Sequence, residues 1–448
     1  MSSWDPRALE VLRTLEAAGF QAVLVGGCVR DALLGKAPHD YDGATSAQPE
    51  EILSACGQFR CIPTGLAHGT VTVISGGLPV EVTTFRKEGA YSDHRHPDQV
   101  HYTRRLEEDL ARRDFTVNAM AWGLGDTLFD PFGGRDDLAA KTIRCVGAPD
   151  RRFQEDALRL LRGLRLTAQL EFQLEAETAA AIRRNTPLLS YVAWERIQAE
   201  FLRLLCAPGA ERVLLDFPET VCQVIPELAP AVGFDQRNPH HCFDVYTHCV
   251  KAMGHVRPEP ALRLAALLHD VGKPACFSVD EQGVGHFYGH GLESAQLTEA
   301  ITRRLRLDKR TQERVTTLVA RHELFQFPPT PKVIRRWLQR LGPECFFDLL
   351  ELGRADGMAC APRPAPEPDP LAQIEAMARE ILAQRPCLTL KELAVNGRDA
   401  LAAGLSGPAV GRALNMLLDQ VASGELPNDR AVLLSLLKGE APATEESP

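Results

Sequence analysis

His39-Asp40-Tyr41-Asp42-Gly43-Ala44-Thr45 places two aspartates one residue apart, and the reading of the chain turns on that spacing. It predicts a short strand over His39–Gly43, on which residues two apart point to the same face. Two carboxylates on one face repel unless a cation lies between them. Upstream, Gln21 to Val25 reads as a strand running into Gly26-Gly27, followed by a helix near Arg30–Leu34. At such a strand-to-helix turn, backbone N–H groups and the Arg30 guanidinium can meet a triphosphate. Downstream, Gly69–Ile74 and Val80–Phe85 flank Ser75-Gly76-Gly77, a turn sequence between β-branched runs. On the second of these strands Glu81 alternates with Val80 and Val82, which brings a third carboxylate toward Asp40 and Asp42. Hard oxygen ligands in such a set suit Mg²⁺, which also keeps waters and substrate phosphates, and together they outline a two-metal phosphoryl-transfer site.

Helices over Pro6–Gly19 and Glu50–Cys56 complete a small mixed sheet with helices. From about Phe153 onward the strand signals nearly vanish. Apolar residues then recur at helical spacing, as at Leu158, Leu161 and Leu164, then Ile197, Phe201, Leu204 and Leu205. The class is therefore α+β, with the β part confined to the first third. At 448 residues against a usual domain of about 150, several domains are expected. The divisions fall at residues 1–150, 151–235, 236–360 and 361–440, with 441–448 disordered. Ala361-Pro362-Arg363-Pro364-Ala365-Pro366-Glu367-Pro368 reads as a stiff extended linker.

Composition removes several classes. Hydrophobic residues make up 45% and charged residues 24%, and no apolar run nears the roughly 18 residues that span a bilayer. No membrane role is expected. Met1-Ser2-Ser3-Trp4-Asp5 lacks the basic start and apolar stretch of a secretory signal, which points to the cytoplasm. Twelve scattered cysteines without a C-x-x-C pair read as reduced, mostly buried thiols. A net charge of -9 argues against indiscriminate polyanion binding, so any nucleic-acid surface must be local.

A longer series of motifs surrounds the aspartates. It comprises Val25-Gly26-Gly27-Cys28-Val29-Arg30-Asp31, His39 to Thr45, Glu81-Val82-Thr83-Thr84-Phe85-Arg86 and Arg112-Arg113-Asp114-Phe115-Thr116-Val117-Asn118-Ala119. Asp130-Pro131-Phe132-Gly133-Gly134, Arg152-Phe153-Gln154-Glu155-Asp156-Ala157-Leu158-Arg159-Leu160-Leu161-Arg162 and Glu195-Arg196-Ile197 continue it. From about residue 20 to 235 the chain resembles the class II tRNA nucleotidyltransferases, the CCA-adding enzymes and bacterial poly(A) polymerases of the polymerase-β superfamily. The resemblance implies a polymerase-β-like head over 1–150 and a helical nucleotide-selecting neck over 151–235. It further implies that Asp40 and Asp42 hold Mg²⁺ with Glu81 as third carboxylate, that Gly27 and Arg30 contact nucleotide phosphates, and that Arg113 meets ribose or phosphate. Gly43 departs from the family, which usually has a bulky aliphatic residue there.

On a helix, Asp156, Arg159, Arg162 and Arg165 fall three apart, within reach of one broad face. A carboxylate that accepts from an exocyclic amine and a guanidinium that donates to ring acceptors can read a base edge as a pairing partner does. The resemblance gives Asp156 and Arg159 the selection of CTP and ATP, with Arg162 and Arg165 supporting. Lys87 to Pro97 is similar to the flexible loop that the family uses in switching from C to A addition.

A second constellation comprises His248, His269-Asp270, His290, His322 and Asp356, in a helical stretch over 236–360. It resembles the HD phosphohydrolase superfamily, with His269-Asp270-Val271-Gly272-Lys273 carrying the name-giving pair. Imidazole with carboxylate suits Mn, Fe, Ni, Co or Zn. His286 and His240-His241 are assigned no ligand role. For a tRNA partner, the basic residues cluster at Arg303-Arg304, Arg306, Lys309-Arg310, Lys332, Arg335-Arg336 and Arg340. The tail over 361–440 is expected to bind tRNA as well. The expected activity is template-independent CCA addition to tRNA from CTP and ATP. An A-adding enzyme or poly(A) polymerase shares every motif, and a metal-dependent phosphohydrolase is the alternative of another class.

Overall fold

The β-branched runs of the first third assemble into one seven-stranded sheet. Its strands are β1 (Ala22–Val25), β2 (Tyr41–Thr45), β3 (Arg60–Gly65), β4 (Thr70–Ser75) and β5 (Leu78–Thr84). After the separate antiparallel ladder of β6 (Arg86–Glu88) with β7 (Val100–Tyr102), β8 (Ala121–Gly123) and β9 (Thr127–Phe129) complete it. The strand order is β3-β4-β5-β2-β1-β8-β9, with only β2 and β5 parallel. Helix α1 (Pro6–Ala17) buries Ala8, Val11, Leu12 and Leu15, the stripe its 3.6-residue period dictates. It stops short of the expected Gly19, which turns left-handed at φ +88°. Val23, Val25, Ala44 and Ala121 of the sheet pack with Phe85 and with Leu106 and Leu110 of a later helix.

Two boundaries differ from expectation where the site lies. Helix α2 (Gly27–Leu33) begins directly at the glycine pair, three residues ahead of the expected start. Strand β2 begins at Tyr41, because its register is set by Leu24↔Gly43 on one side and Tyr41↔Val80 on the other. Asp40 therefore stands at the entrance of the strand, not inside it. Helix α3 (Pro49–Ala55) matches its expected place.

Eight further helices complete this part: α4 (Leu106–Ala111), α5 (Gly134–Ala139), α6 (Pro149–Glu155), α7 (Leu158–Leu170), α8 (Ala176–Asn185), α9 (Trp194–Leu205), α10 (Ala210–Asp216) and α11 (Pro218–Val224). Gly163 on α7 lets that helix approach the head closely, since a Cβ there would lie 2.9 Å from Phe115 Cζ.

The computed structural model describes residues 4–66, 69–88, 100–239, 241–325, 329–360, 369 and 371–439. They divide into two compact units, Met1–Ala229 with Arg304–Arg306, and Pro230–Arg303 with Leu307–Pro448. In the second unit α12 (Val245–His255), α13 (Pro260–Leu268), α14 (His290–Arg304), α15 (Lys309–Ala320), α16 (Pro331–Leu341) and α17 (Pro343–Cys360) are followed by α18 (Ala372–Ala383), α19 (Gly397–Ala402), α20 (Pro408–Ser423) and α21 (Arg430–Leu437). One apolar cluster gathers Ile334, Leu338, Phe346, Leu350 and Ile374, and another Leu393, Leu414, Leu417, Leu418 and Leu433. The Pro-rich segment 361–368, residues 441–448 and the expected loop beyond Glu88 lie outside the described residues.

All twelve cysteines are free, and only Cys242 is exposed. Burial pushes the Cys28 and Cys56 thiols up to about 11 and Cys145 to about 12, so these are inert thiols. Among the described residues no helix is long and apolar enough to cross a membrane.

Candidate functional site

Parallel pairing of β2 with β5 sets Asp42 directly opposite Glu81, so both side chains leave the same face of the sheet. Tyr41 and Gly43 on either side are buried, and Asp42 is half-buried, as alternation requires. Burial pushes the Asp42 carboxyl above its ordinary value, and the charges of Glu81 and Asp40 push the same way, against the pull of Arg113. The three carboxylates expected to converge thus do so electrostatically, in an arrangement that favours a cation. At the departing position Gly43, a Cβ would meet Val82 Cγ2 at 3.6 Å and two carbonyl oxygens at 3.8 Å, all ordinary contacts.

The turn between β1 and α2 presses against the same group. Gly26 has φ +73°, and a Cβ on it would stand 3.1 Å from Arg113 Nη1 and 3.7 Å from Asp42 Oδ2. Only glycine leaves that gap open. Arg113 Nε is buried without a hydrogen-bond partner, while its Nη2 pairs with Asp109 at 3.3 Å. Arg30 differs from expectation. It is 7% exposed and engaged by Asp31 at 2.7 Å and Asn118 Oδ1 at 2.8 Å.

The four residues expected along one helix are distributed over a break. Asp156 lies between α6 and α7 in extended conformation, φ -143° and ψ 105°. Its carboxylate accepts the Leu158 N–H at 3.1 Å, the local side-chain bond that competes with helix continuation. It is also paired with Arg196 at 2.9 Å. Arg159 is buried and donates to Glu155 at 2.8 Å and to the Arg112 carbonyl at 3.1 Å. Arg162 pairs with buried Asp114 at 2.8 Å, and Arg165 with Glu200 at 2.6 Å. Burial opposes ionisation of Asp114, yet Arg162 and Arg159 outweigh it and hold its carboxyl below the usual range.

Sequence reasoning gave no role to Asp109, Asp114 or Arg196. A signal existed for each: Asp109 stands three and four residues ahead of Arg112 and Arg113, and the other two fall inside quoted motifs.

In the second unit all six residues of the histidine constellation meet. Asp270 Oδ2 lies 3.3 Å from Nε2 of both His248 and His269, and Oδ1 lies 3.2 Å from His290 Nε2 and 3.6 Å from His322 Nε2. Asp356 Oδ1 is 3.0 Å from His248 Nε2. Every ring turns its Nδ1 to a backbone carbonyl: Ala359 at 3.3 Å, Ala266 at 2.7 Å, Phe287 at 2.8 Å and Val319 at 2.7 Å. In a neutral ring the Nε2 lone pair then faces inward. Yet His248 Nε2 lies 3.1 Å from His269 Nε2, and His290 Nε2 lies 3.1 Å from His322 Nε2. Two lone pairs at that distance require a proton or a metal ion between them. Burial opposes a proton on His248, but the Asp270 and Asp356 hydrogen bonds outweigh it and raise its pKa to about 9. Lys273 Nζ also reaches Asp270 at 2.6 Å.

The basic residues expected to face RNA are largely matched by carboxylates. Arg303 pairs with Glu299 at 2.6 Å, Arg304 with Glu227 at 2.6 Å, Lys332 with Glu425 at 2.5 Å and Arg340 with Asp419 at 3.5 Å.

Residues 22–144 match the family described as Poly A polymerase head domain, and residues 290–437 match domain 2 of tRNA nucleotidyltransferase. A CCA-adding enzyme of Levilactobacillus brevis is 36% identical over 433 residues, covering 96% of this chain and 96% of its own. One from Enterococcus faecalis is 49% identical over 222 residues, which is 49% of this chain and 54% of the relative. Among solved structures, the Bacillus stearothermophilus CCA-adding enzyme in complex with CTP aligns at TM-score 0.72 and 31% identity, over 97% of this chain and 96% of that one.

Proposed function

From its membership of the CCA-adding enzyme family, to which this chain belongs, we propose that Asp40, Asp42 and Glu81 form the catalytic carboxylate group. The chain is a nucleotidyltransferase that adds CCA to the 3′ end of tRNA from CTP and ATP without a nucleic-acid template. The observation that carries the site assignment is the register pair Asp42↔Glu81, with Arg113 and the open Gly26 turn against it. Enzymes of this kind use divalent metals, and the crowding of hard oxygen ligands around raised Asp42 fits Mg²⁺. Bound there, two such ions would supply Lewis acidity toward the triphosphate and the 3′-hydroxyl. Gly27, where the turn enters α2, would let backbone amides approach the phosphates. Arg113 brings positive charge beside Asp42, with one buried N–H still unused for a phosphate or ribose oxygen. Arg30, whose Nη1 donates to Asn118 Oδ1 at 2.8 Å, would add its charge for the nucleotide phosphates. Asp156 would accept the exocyclic amine common to C and A, and Arg159 would donate to the ring acceptor, with Arg162 and Arg165 fixed as supports. We place this work in the cytoplasm, where the tRNA substrate is matured.

A second reading attaches to the histidine cluster. The paired Nε2 atoms at 3.1 Å and the shared Asp270 support two transition-metal sites, His248, His269 and Asp270 with Asp356, and Asp270, His290 and His322. Such a centre fits hydrolysis of a phosphate ester beside the transferase activity.

The test is product length on a denaturing gel, from tRNA transcripts ending at the discriminator base, at C and at CC, with CTP, ATP or both and Mg²⁺. The wild type should add three nucleotides only with both triphosphates, and an Asp40→Ala, Asp42→Ala double variant none. A single A on the CC transcript alone, or an unstopped A ladder, would overturn CCA addition. Full activity in the double variant would overturn the site. Asp270→Ala should keep CCA addition and lose metal measured by elemental analysis.

A further inference from the structure

We propose that His241 is the substrate-facing residue of the second cluster and hydrogen-bonds a phosphate group held at its metal ions; this rests on the metal reading of that cluster.

The segment leading into α12 is clamped over the cluster. Gln236, 1% exposed, accepts from Lys273 Nζ at 3.0 Å and donates to the Phe243 carbonyl at 3.1 Å. The His241 N–H donates to the Asn238 carbonyl at 3.0 Å, and the neighbouring Cys242 Sγ reaches the Cys360 carbonyl at 2.9 Å. His241 is thereby fixed in place. Its ring stands edge-on to His248, with centroids 5.2 Å apart and planes at 90°. A ligand atom of His241 lies within 4.8 Å of one on His248 and of Cys360 Sγ.

One feature separates this ring from its neighbours. The four imidazoles of the cluster each satisfy Nδ1 on a backbone carbonyl, whereas His241 Nδ1 is buried without a partner. Neither of the two ligand groups around Asp270 includes His241. It stands beside the cluster, with an unused polar atom. With two divalent ions bound, four positive charges and Lys273 would face the two carboxylates of Asp270 and Asp356, leaving the centre cationic. Four protein ligands at one site and three at the other would leave positions open on octahedral ions, as in hydrolytic rather than structural sites. A phosphate fits such a centre, being anionic, rich in oxygen and able to accept from an imidazole N–H while held by metal. A nucleotide monoester, a cyclic phosphodiester and free orthophosphate share that chemistry.

The test uses the full chain in an Asp40→Ala, Asp42→Ala background, which silences the head. Protein stripped of metal and reloaded with Mn²⁺ is titrated calorimetrically with orthophosphate, AMP and 2′,3′-cyclic AMP. His241→Ala should keep the wild-type Mn²⁺ content and weaken phosphate binding about 10- to 100-fold, the range for one hydrogen bond to a charged group. His241→Gln, whose amide can donate, should recover part of that loss, which repair of a merely structural defect would not do. In the otherwise unaltered chain, His241→Ala should leave CCA addition unchanged. Unchanged phosphate affinity in His241→Ala, with metal retained, would overturn the inference and leave the metal reading standing. Loss of Mn²⁺ in His241→Ala would also overturn it, making His241 a metal ligand with Cys360. A parent chain that takes up no more Mn²⁺ than Asp270→Ala would overturn the metal reading and this inference with it. The AMP and cyclic AMP arms say which source is taken.

Discussion

Replacing Asp109 by Asn tests whether the cation beside Asp42 has to be held from behind. Asp109 is 1% exposed and accepts from Arg112 Nε at 2.9 Å, Arg113 Nη2 at 3.3 Å and the Arg86 N–H at 3.3 Å. Burial opposes its ionisation, but Arg113 and Arg112 outweigh this and hold its carboxyl below the usual range. Removing one charge from a buried pair costs roughly 3–5 kcal/mol. The Arg112 and Arg113 side chains keep 14% and 19% exposure, and the Asn amide still accepts, so about 2–3 kcal/mol is expected here. Native-state hydrogen exchange over Leu106–Asn118 should report that loss as faster opening. Single-turnover C addition should slow about tenfold with CTP affinity less affected, because Arg113 loses its orientation rather than its charge. The pH dependence has a definite sign. A carboxyl held below its unfolded value, about 3.9, contributes its full stability above that pH and loses it as pH falls toward the folded value. The difference between wild type and variant should therefore shrink only on acidification below about pH 4. Equal exchange and equal rates at neutral pH would refute the reasoning.

Arg196→Ala removes the partner of Asp156 at 2.9 Å. Arg196 is 31% exposed, so the stability loss should stay under about 1 kcal/mol, while misincorporation of UTP on a C-ending transcript should rise roughly three- to tenfold; unaltered discrimination would count against Asp156 needing that brace. Gly43→Ala should raise thermal stability by about 0.5–1 kcal/mol with activity kept, since its Cβ meets nothing closer than 3.6 Å. A lowered melting temperature would mean that β2 cannot admit even a methyl group.

The sheet was legible because its strands are β-branched runs broken by Gly-Gly turns, and because Asp42 and Glu81 alternate with buried neighbours. The register that pairs them was not: it follows from β2 lying parallel to β5, a contact between segments almost forty residues apart. The break at Asp156 was illegible for a different reason. The apolar period continues across it from Phe153 to Leu161, both buried, while one side-chain bond to the Leu158 N–H interrupts the backbone. The histidine cluster could be named from the sequence, but not the division of labour among its nitrogens, which depends on where four carbonyls point. His241 was passed over because nothing local distinguishes a ring with a satisfied Nδ1 from one without. Which basic residues carry carboxylate partners was illegible as well, since Glu425 and Asp419 reach Lys332 and Arg340 from distant segments that no helical spacing reveals.

The pairing of Asp156 bears on how a protein surface can stand in for a template. An ionised carboxylate offers about four lone-pair sites, and here Arg196 and the Leu158 N–H occupy only part of that capacity. In the proposed role Asp156 would accept the amine of C or A without releasing Arg196, so its carboxylate would be oriented before the nucleotide arrives. U or G would bring a carbonyl oxygen to the same place, acceptor against acceptor, with a penalty of about 1–3 kcal/mol for the unpaired group. That is a factor of roughly ten to a hundred from one contact. Arg159, in the role proposed for it, would add a second, because a guanidinium has donors only and demands an acceptor opposite. Arg159 is tied to the Arg112 carbonyl, next in the chain to the Arg113 that faces Asp42. Base reading and phosphate positioning would then share one stretch of backbone, so that a base which fails to pair with Asp156 and Arg159 is also poorly placed for transfer.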